Sequence, residues 1–143
     1  DEAGFRRVVR AALEWSLATA TLASLGFALG GEALIRLLTD LPDVRAMAER
    51  FLPWMVAMPL LAVASYLLDG IFIGATRTRA MRDTMVVAVV AGYLPVWWLS
   101  QPLGNHGLWL AFVSFTLARG VLLGTVFWRS WRHRTWFAAA LDA

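Results

Sequence analysis

Cysteine and lysine are both missing from this 143-residue sequence, and histidine occurs only twice. Without cysteine the chain can form neither disulfide bonds nor thiolate metal sites. His106 and His133 are far apart in sequence, so we expect no metal centre. Charged residues make up only 16% of the chain, whereas soluble domains average about a quarter. These shortages argue against a disulfide scaffold, a zinc protein and an ordinary soluble domain.

Catalytic motifs are missing as well. The segment "DGIFIGATR", which begins at Asp69, resembles the first half of the aspartate-rich motif of membrane phosphatidyltransferases. That chemistry needs several further carboxylates to hold divalent cations, but only Asp83 follows before Asp142. Neither a phosphate-binding glycine loop nor a nucleophile elbow is present. We therefore expect no enzymatic activity.

Long apolar stretches are what the sequence has in abundance, since 59% of its residues are hydrophobic. Each of four stretches can supply the roughly 20 residues that cross a bilayer as a helix. The alternating pattern of a membrane β-strand is absent. The sequence predicts an all-α, polytopic membrane helix bundle with four transmembrane helices. The spans are expected at about 8–38, 46–76, 80–101 and 107–131, with a cytoplasmic tail at 132–143.

The arginines predict the orientation of these spans. Three groups of arginine flank the spans, at 6–10, 77–82 and 129–134, whereas the loop "SQPLGNHG" has none and Arg45 and Arg50 are offset by nearby acids. Short loops rich in arginine stay in the cytoplasm, so both ends and the middle loop are expected there. Because the arginines bracket apolar spans, we expect the lipid bilayer rather than nucleic acid as the partner. Eight tryptophans fall near the predicted span ends, as two interfacial belts would: Trp15, Trp54, Trp97, Trp98, Trp109, Trp128, Trp131 and Trp136.

Glycine pairs occur in three of the spans, and prolines lie inside two. Glycines four residues apart form a flat helix face that lets another helix approach closely. We expect such helix-packing faces at three pairs: Gly26 and Gly30, Gly70 and Gly74, and Gly120 and Gly124. Pro59 and Pro95 lie inside the second and third spans, where they should kink or locally open the helix.

One acid and one arginine lie deep within predicted spans. Asp69 precedes Arg77 by eight residues and Arg119 precedes Arg129 by ten, so both charges lie at similar depth, roughly 12–15 Å from the inner boundary. An ion pair between them is therefore geometrically possible. Asp69 either binds a coupling proton or sodium ion, or has a structural role in which it satisfies Arg119 or the freed backbone around Gly70. Tyr66 lies one turn earlier and could join either arrangement.

Several segments resemble one family of transporters. "LDGIFIGATRT", "GNHGLWLAF" and the "ARG" at Ala118–Gly120 are similar to the C-terminal end of DinF-like members of the multidrug and toxic compound extrusion (MATE) family. The resemblance covers nearly the whole chain. The sequence starts at aspartate with no signal before the first span, so we expect it to be part of a longer protein.

The resemblance implies a function and a place in a larger fold. Such transporters have twelve helices in two lobes, and this chain would supply helices nine to twelve of the second lobe. They export organic cations or amphipathic compounds from bacteria across the inner membrane by proton or sodium antiport, with no other cofactor. A related branch, the NorM-like proteins, has an aspartate and a tyrosine in a cation site at the place of Asp69 and Tyr66, although the tyrosine spacing here is one residue short. The DinF-like branch has its coupling aspartate on the first helix, which this chain lacks.

The residues are also compatible with two other functions. Glu14 could act as the membrane glutamate of a complete four-span antiporter like the small multidrug resistance proteins, or simply pair with Arg10 on the same helix face. The chain could also be a non-transporting membrane scaffold subunit held together by its glycine faces. If the chain is instead part of a larger transporter, we expect this part alone to be inactive.

Overall fold

The fold is known from a computed structural model that describes residues 2–133; the tail from 134 onward, with Arg134 and Trp136, lies outside the described residues. The described part is helical, and four of its helical segments are long and apolar enough to cross a membrane. Helix α1 covers Glu2–Leu38 and α2 covers Pro42–Gly74. The third segment covers Thr78–Leu103, and the fourth, Asn105–Arg132, is a single helix. The predicted all-α membrane fold is confirmed.

The third segment is not one regular helix. It consists of α3 (Thr78–Val87), a π-helical stretch (Ala88–Tyr93), α4 (Leu94–Ser100) and a 3₁₀ turn (Gln101–Leu103). At the end of the π-helical stretch, the N–H of Leu94 bonds to the carbonyl of Val89, five residues back. Pro95 follows at once and cannot donate a backbone hydrogen bond, which accounts for the altered ladder. The local opening expected at Pro95 thus takes the form of a π-helical stretch. We refer to Thr78–Leu103 as the third span and to Asn105–Arg132 as α5.

The described part of the chain divides into two compact units, the first ending at residue 63 and the second beginning at residue 64. In the first unit, Arg45 closes the end of α1. Its guanidinium donates to the carbonyls of Arg36 (3.0 Å) and Thr39 (2.7 Å) and to the carboxylate of Asp40 (2.9 Å). The last carbonyls of a helix have no partner within the helix, so an arginine here satisfies them and complements the helix dipole.

The second unit contains the wholly buried side chains Phe72 and Leu123, together with the buried alanines Ala88 and Ala111. Its third span runs antiparallel to α5, and polar contacts join the two at successive levels. Arg77 donates to Ser130 at 3.1 Å near one end, and Ser100 donates to the Gly107 carbonyl at 3.1 Å near the other. Between them, the Ser114 hydroxyl donates to the carbonyl of Gly92 in the π-helical stretch at 3.2 Å. Side-chain hydrogen bonds and small residues hold helices together where lipid gives no hydrophobic drive.

The turn after α2 contains a strained residue. Thr76 has a φ of 55°. Its N–H bonds to the carbonyl of Ile73 at 3.0 Å, and the next N–H, of Arg77, bonds to Phe72 at 2.9 Å. These two bonds form a Schellman motif, whose left-handed position is normally glycine. This turn ends α2 five residues after Asp69 and starts the arginine-rich segment that leads into the third span.

We expect Thr76→Gly to stabilise the protein by about 1 kcal/mol, because a left-handed conformation costs a non-glycine residue roughly 1–2 kcal/mol, partly offset by the greater backbone entropy of unfolded glycine. The free energy of unfolding in detergent micelles, followed by tryptophan fluorescence, measures the effect. Thr78→Gly is the matched control, because Thr78 is already helical. This variant should lose up to about 0.5 kcal/mol of unfolding free energy. A decrease in stability for Thr76→Gly would contradict the strain.

Candidate functional site

Asp69 of α2 and Arg119 of α5 form an ion pair inside the second unit. Arg119 Nη2 lies 2.6 Å from Asp69 Oδ1, and Arg119 Nε lies 3.2 Å from Asp69 Oδ2. Both carboxylate oxygens are therefore engaged by one guanidinium, the two-point geometry that arginine favours. The side chains of Arg119 and Asp69 are 8% and 20% exposed, respectively. The structure thus brings together the two charges that the sequence predicts to lie at similar depth in the membrane.

A third helix also contacts this pair. The remaining terminal nitrogen of the guanidinium, Arg119 Nη1, lies 3.1 Å from the sulfur of Met85 in α3. Thioether sulfur is a weak acceptor, so this contact positions the guanidinium more than it stabilises its charge. Arg119 consequently touches a side chain from α2 and one from α3 while belonging to α5. A change at Asp69 would therefore alter contacts made by all three helices.

Tyr66 does not join the pair. The residue is 65% exposed, and among the described residues no hydrogen bond connects it to Asp69 or Arg119. Glu14 lies in the first unit, where it accepts a hydrogen bond from Arg10 at 2.9 Å on an exposed face of α1. This arrangement is the same-face ion pair that the four-residue spacing indicates.

The predicted glycine faces behave differently from one another. A Cβ placed on Gly26, Gly30, Gly70 or Gly74 would have no atom within 4 Å among its described neighbours. These four glycines therefore do not provide the close helix contacts expected of them within the described chain. The third pair does lie against α2: Gly120 is next to Ala64 and Ser65, and a Cβ placed on Gly124 would lie 3.7 Å from Leu68.

Two other glycines of the second unit make close helix contacts. A Cβ on Gly92 would lie 2.9 Å from the Ala118 Cβ, and one on Gly107 would collide with the backbone carbonyl of Ser100. The sequence carried a signal for both, because Ala88 and Gly92, like Gly107 and Ala111, are small residues four apart. The glycine pairs expected from the sequence do not include these two positions. The contact with Met85 had no comparable signal, since methionine is common throughout apolar helices.

Four apolar helices, an ion pair buried between two of them and small-residue contacts define a multi-pass helical membrane protein. Among proteins of known sequence, DNA damage-inducible protein F of Escherichia coli K12 is 47% identical to this chain over 133 residues, or 92% of the chain. An uncharacterized transporter of Bacillus subtilis 168, YisQ, is 26% identical over 145 residues, or 94% of the chain. These matches confirm the resemblance to the DinF-like MATE family.

The coverage of the relatives is partial. The chain spans 28% of the length of the Escherichia coli protein and 29% of the Bacillus subtilis transporter. No model of a protein family matches the chain, and no solved structure does so either.

We expect Gly92→Ala and Gly107→Ala each to destabilise the protein by about 1–3 kcal/mol, because the added methyl group meets atoms that cannot rotate away. Gly26→Ala is the matched control and should be neutral or stabilising by up to about 1 kcal/mol, since it adds a helix-favouring residue beside open space. Unfolding free energies in micelles test all three. A loss at Gly26 as large as that at Gly107 would show that the glycine-pair face packs against another helix after all.

Proposed function

We propose that this chain is part of the second lobe of a MATE-type secondary transporter that exports organic cations by proton or sodium antiport. The observation that carries the proposal is the buried contact between Asp69 and Arg119 in a chain related to DinF. Isolated charges inside a membrane span are costly, and in transporters they mark ion pathways. The same proposal includes a bacterial inner membrane, which the family resemblance implies, and cytoplasmic placement of both ends, which the arginines predict.

The ion pair suggests how a coupling ion could act. Both carboxylate oxygens of Asp69 are occupied by Arg119, so a proton or sodium ion that binds Asp69 competes with the guanidinium. Displacement of Arg119 would alter its contact with Met85 and thereby the packing of α5 against α3. Alternating access needs an ion-dependent change in helix packing of this kind. Tyr66, which is exposed one turn away, is a candidate contact for substrate or for the remaining helices rather than for the ion pair.

The coupling role of the pair is tested by neutralising both partners together. Either single change, Asp69→Asn or Arg119→Gln, leaves one buried charge without its partner, which typically costs about 3–5 kcal/mol. The double variant removes both charges and should recover most of the folded yield. We expect the folded double variant to lose substrate-driven proton or sodium movement by at least about tenfold, because no ion then binds at residue 69.

The measurement uses the full-length transporter in proteoliposomes, with a fluorescent organic cation as substrate and an imposed proton or sodium gradient. The charge swap Asp69→Arg with Arg119→Asp is the control for folding, since it retains an ion pair with its direction reversed. Near-normal coupling in the double variant would assign a purely structural role to the pair. Absence of gradient-driven export by the unaltered protein would overturn the transport proposal itself.

We also expect the 143-residue chain by itself to be unable to transport, because it would provide only one side of the substrate pathway. Reconstitution of the isolated chain and of the full-length protein at equal density, followed by assay of substrate-dependent proton release, tests this expectation. Release by the isolated chain would favour a self-sufficient antiporter over one part of a larger transporter.

A further inference from the structure

Among the residues that the structure describes, five arginines lie around one end of the second unit. We call them the basic cluster: Arg77, Arg79, Arg82, Arg129 and Arg132. The hydrogen bond from Arg77 to Ser130 fixes the beginning of the third span beside the end of α5. Two separate stretches of sequence therefore contribute positive charge to the same end of the fold.

Carboxylates of the described residues neutralise little of this charge. Asp83 accepts two hydrogen bonds from Arg82, at 2.8 and 2.9 Å. Within residues 2–133, Arg79, Arg129 and Arg132 form no ion pair with an acidic side chain, and all three are exposed. The arginines at the beginning of α1 differ, because Arg6 pairs with Glu2 at 2.7 Å and Arg10 pairs with Glu14 at 2.9 Å.

Aromatic rings place the basic cluster at the level of lipid headgroups. The guanidinium of Arg132 lies over the ring of Trp128, 5.4 Å from its centroid. Trp131, one residue before Arg132, stacks with Phe127 at a centroid distance of 6.1 Å. Tryptophans prefer the boundary between hydrocarbon and water, so the neighbouring guanidinium lies where phosphate groups are concentrated. The planar guanidinium also matches phosphate oxygens in a two-point contact.

We propose that the basic cluster binds the phosphate of an anionic phospholipid headgroup, with Arg79, Arg129 and Arg132 as its direct contacts. The ligand chemistry is a phosphodiester carried on a lipid, because the site combines arginines that lack an acidic partner within residues 2–133 with ring faces at the hydrocarbon boundary. A cluster of arginines directly beside membrane helices is the pattern that recognises such headgroups. The binding is independent of any transport activity and requires only that the protein be embedded in lipid.

The test is a competition between two lipids on the intact, purified protein. Native mass spectrometry counts molecules of phosphatidylglycerol and phosphatidylcholine that are retained from an equimolar mixture. We expect the protein to retain phosphatidylglycerol preferentially. Replacing Arg79, Arg129 and Arg132 by glutamine should reduce its affinity at least about tenfold, because each arginine near an anionic headgroup contributes separately. The matched control replaces Arg6, Arg7 and Arg10 by glutamine and should change the affinity by less than about threefold, since two of these arginines are already paired.

A lysine variant guards against misfolding or altered topology in the glutamine variant. Replacing the same three arginines by lysine keeps the charge and should keep most of the preference. The proposal is overturned if the unaltered protein shows no preference, if both triple glutamine variants lose it equally, or if the lysine variant loses it as fully as the glutamine variant. Inorganic phosphate at millimolar concentration should not displace the lipid; full displacement would identify free phosphate as the ligand instead.

Discussion

The contact between Asp69 and Arg119 is the constraint on which the second unit depends. Each residue is the single charge in its apolar stretch, Phe51–Ala75 for Asp69 and Leu108–Trp128 for Arg119. Neither stretch could place its charge in hydrocarbon at low cost without the other. The pair therefore fixes which faces of α2 and α5 meet, and the small residues Gly120 and Gly124 allow the two helices to come close enough for it to form.

Helix α5 is the element through which the other helices of this unit are organised. One side of it contacts α2 through the ion pair and the two glycines, and another follows the third span over its whole length. The π-helical stretch lies within that second contact, where Ser114 bonds to a carbonyl next to the position that Pro95 disrupts. A helix with an interrupted ladder next to a buried charge is a place where a small local change can alter packing.

The sequence predicted the helices and the ion pair well, for a physical reason. Crossing a bilayer demands long apolar runs, and the cost of a buried charge leaves Asp69 with few possible partners. Both constraints can be recognised from the sequence alone. The helix faces that pack against one another cannot be recognised in this way. Whether Gly26 or Gly92 meets another helix depends on how each helix is rotated, and a stripe of small residues does not encode that rotation. The exposure of Tyr66 and the contact with Met85 depend on the same rotation and were missed for the same reason.

The absence of lysine is consistent with what the arginines do in this fold. Arg119 reaches two carboxylate oxygens and a sulfur at once, and Arg45 reaches two carbonyls and a carboxylate. A lysine ammonium is a single point of charge and could not span these acceptors, whereas the guanidinium presents donors along a fixed plane. The same plane at Arg132 lies against a tryptophan ring. One residue type thus serves buried pairing, helix capping and the membrane boundary. The first two settings require several donors in a fixed geometry, and all three use a charge that is never lost.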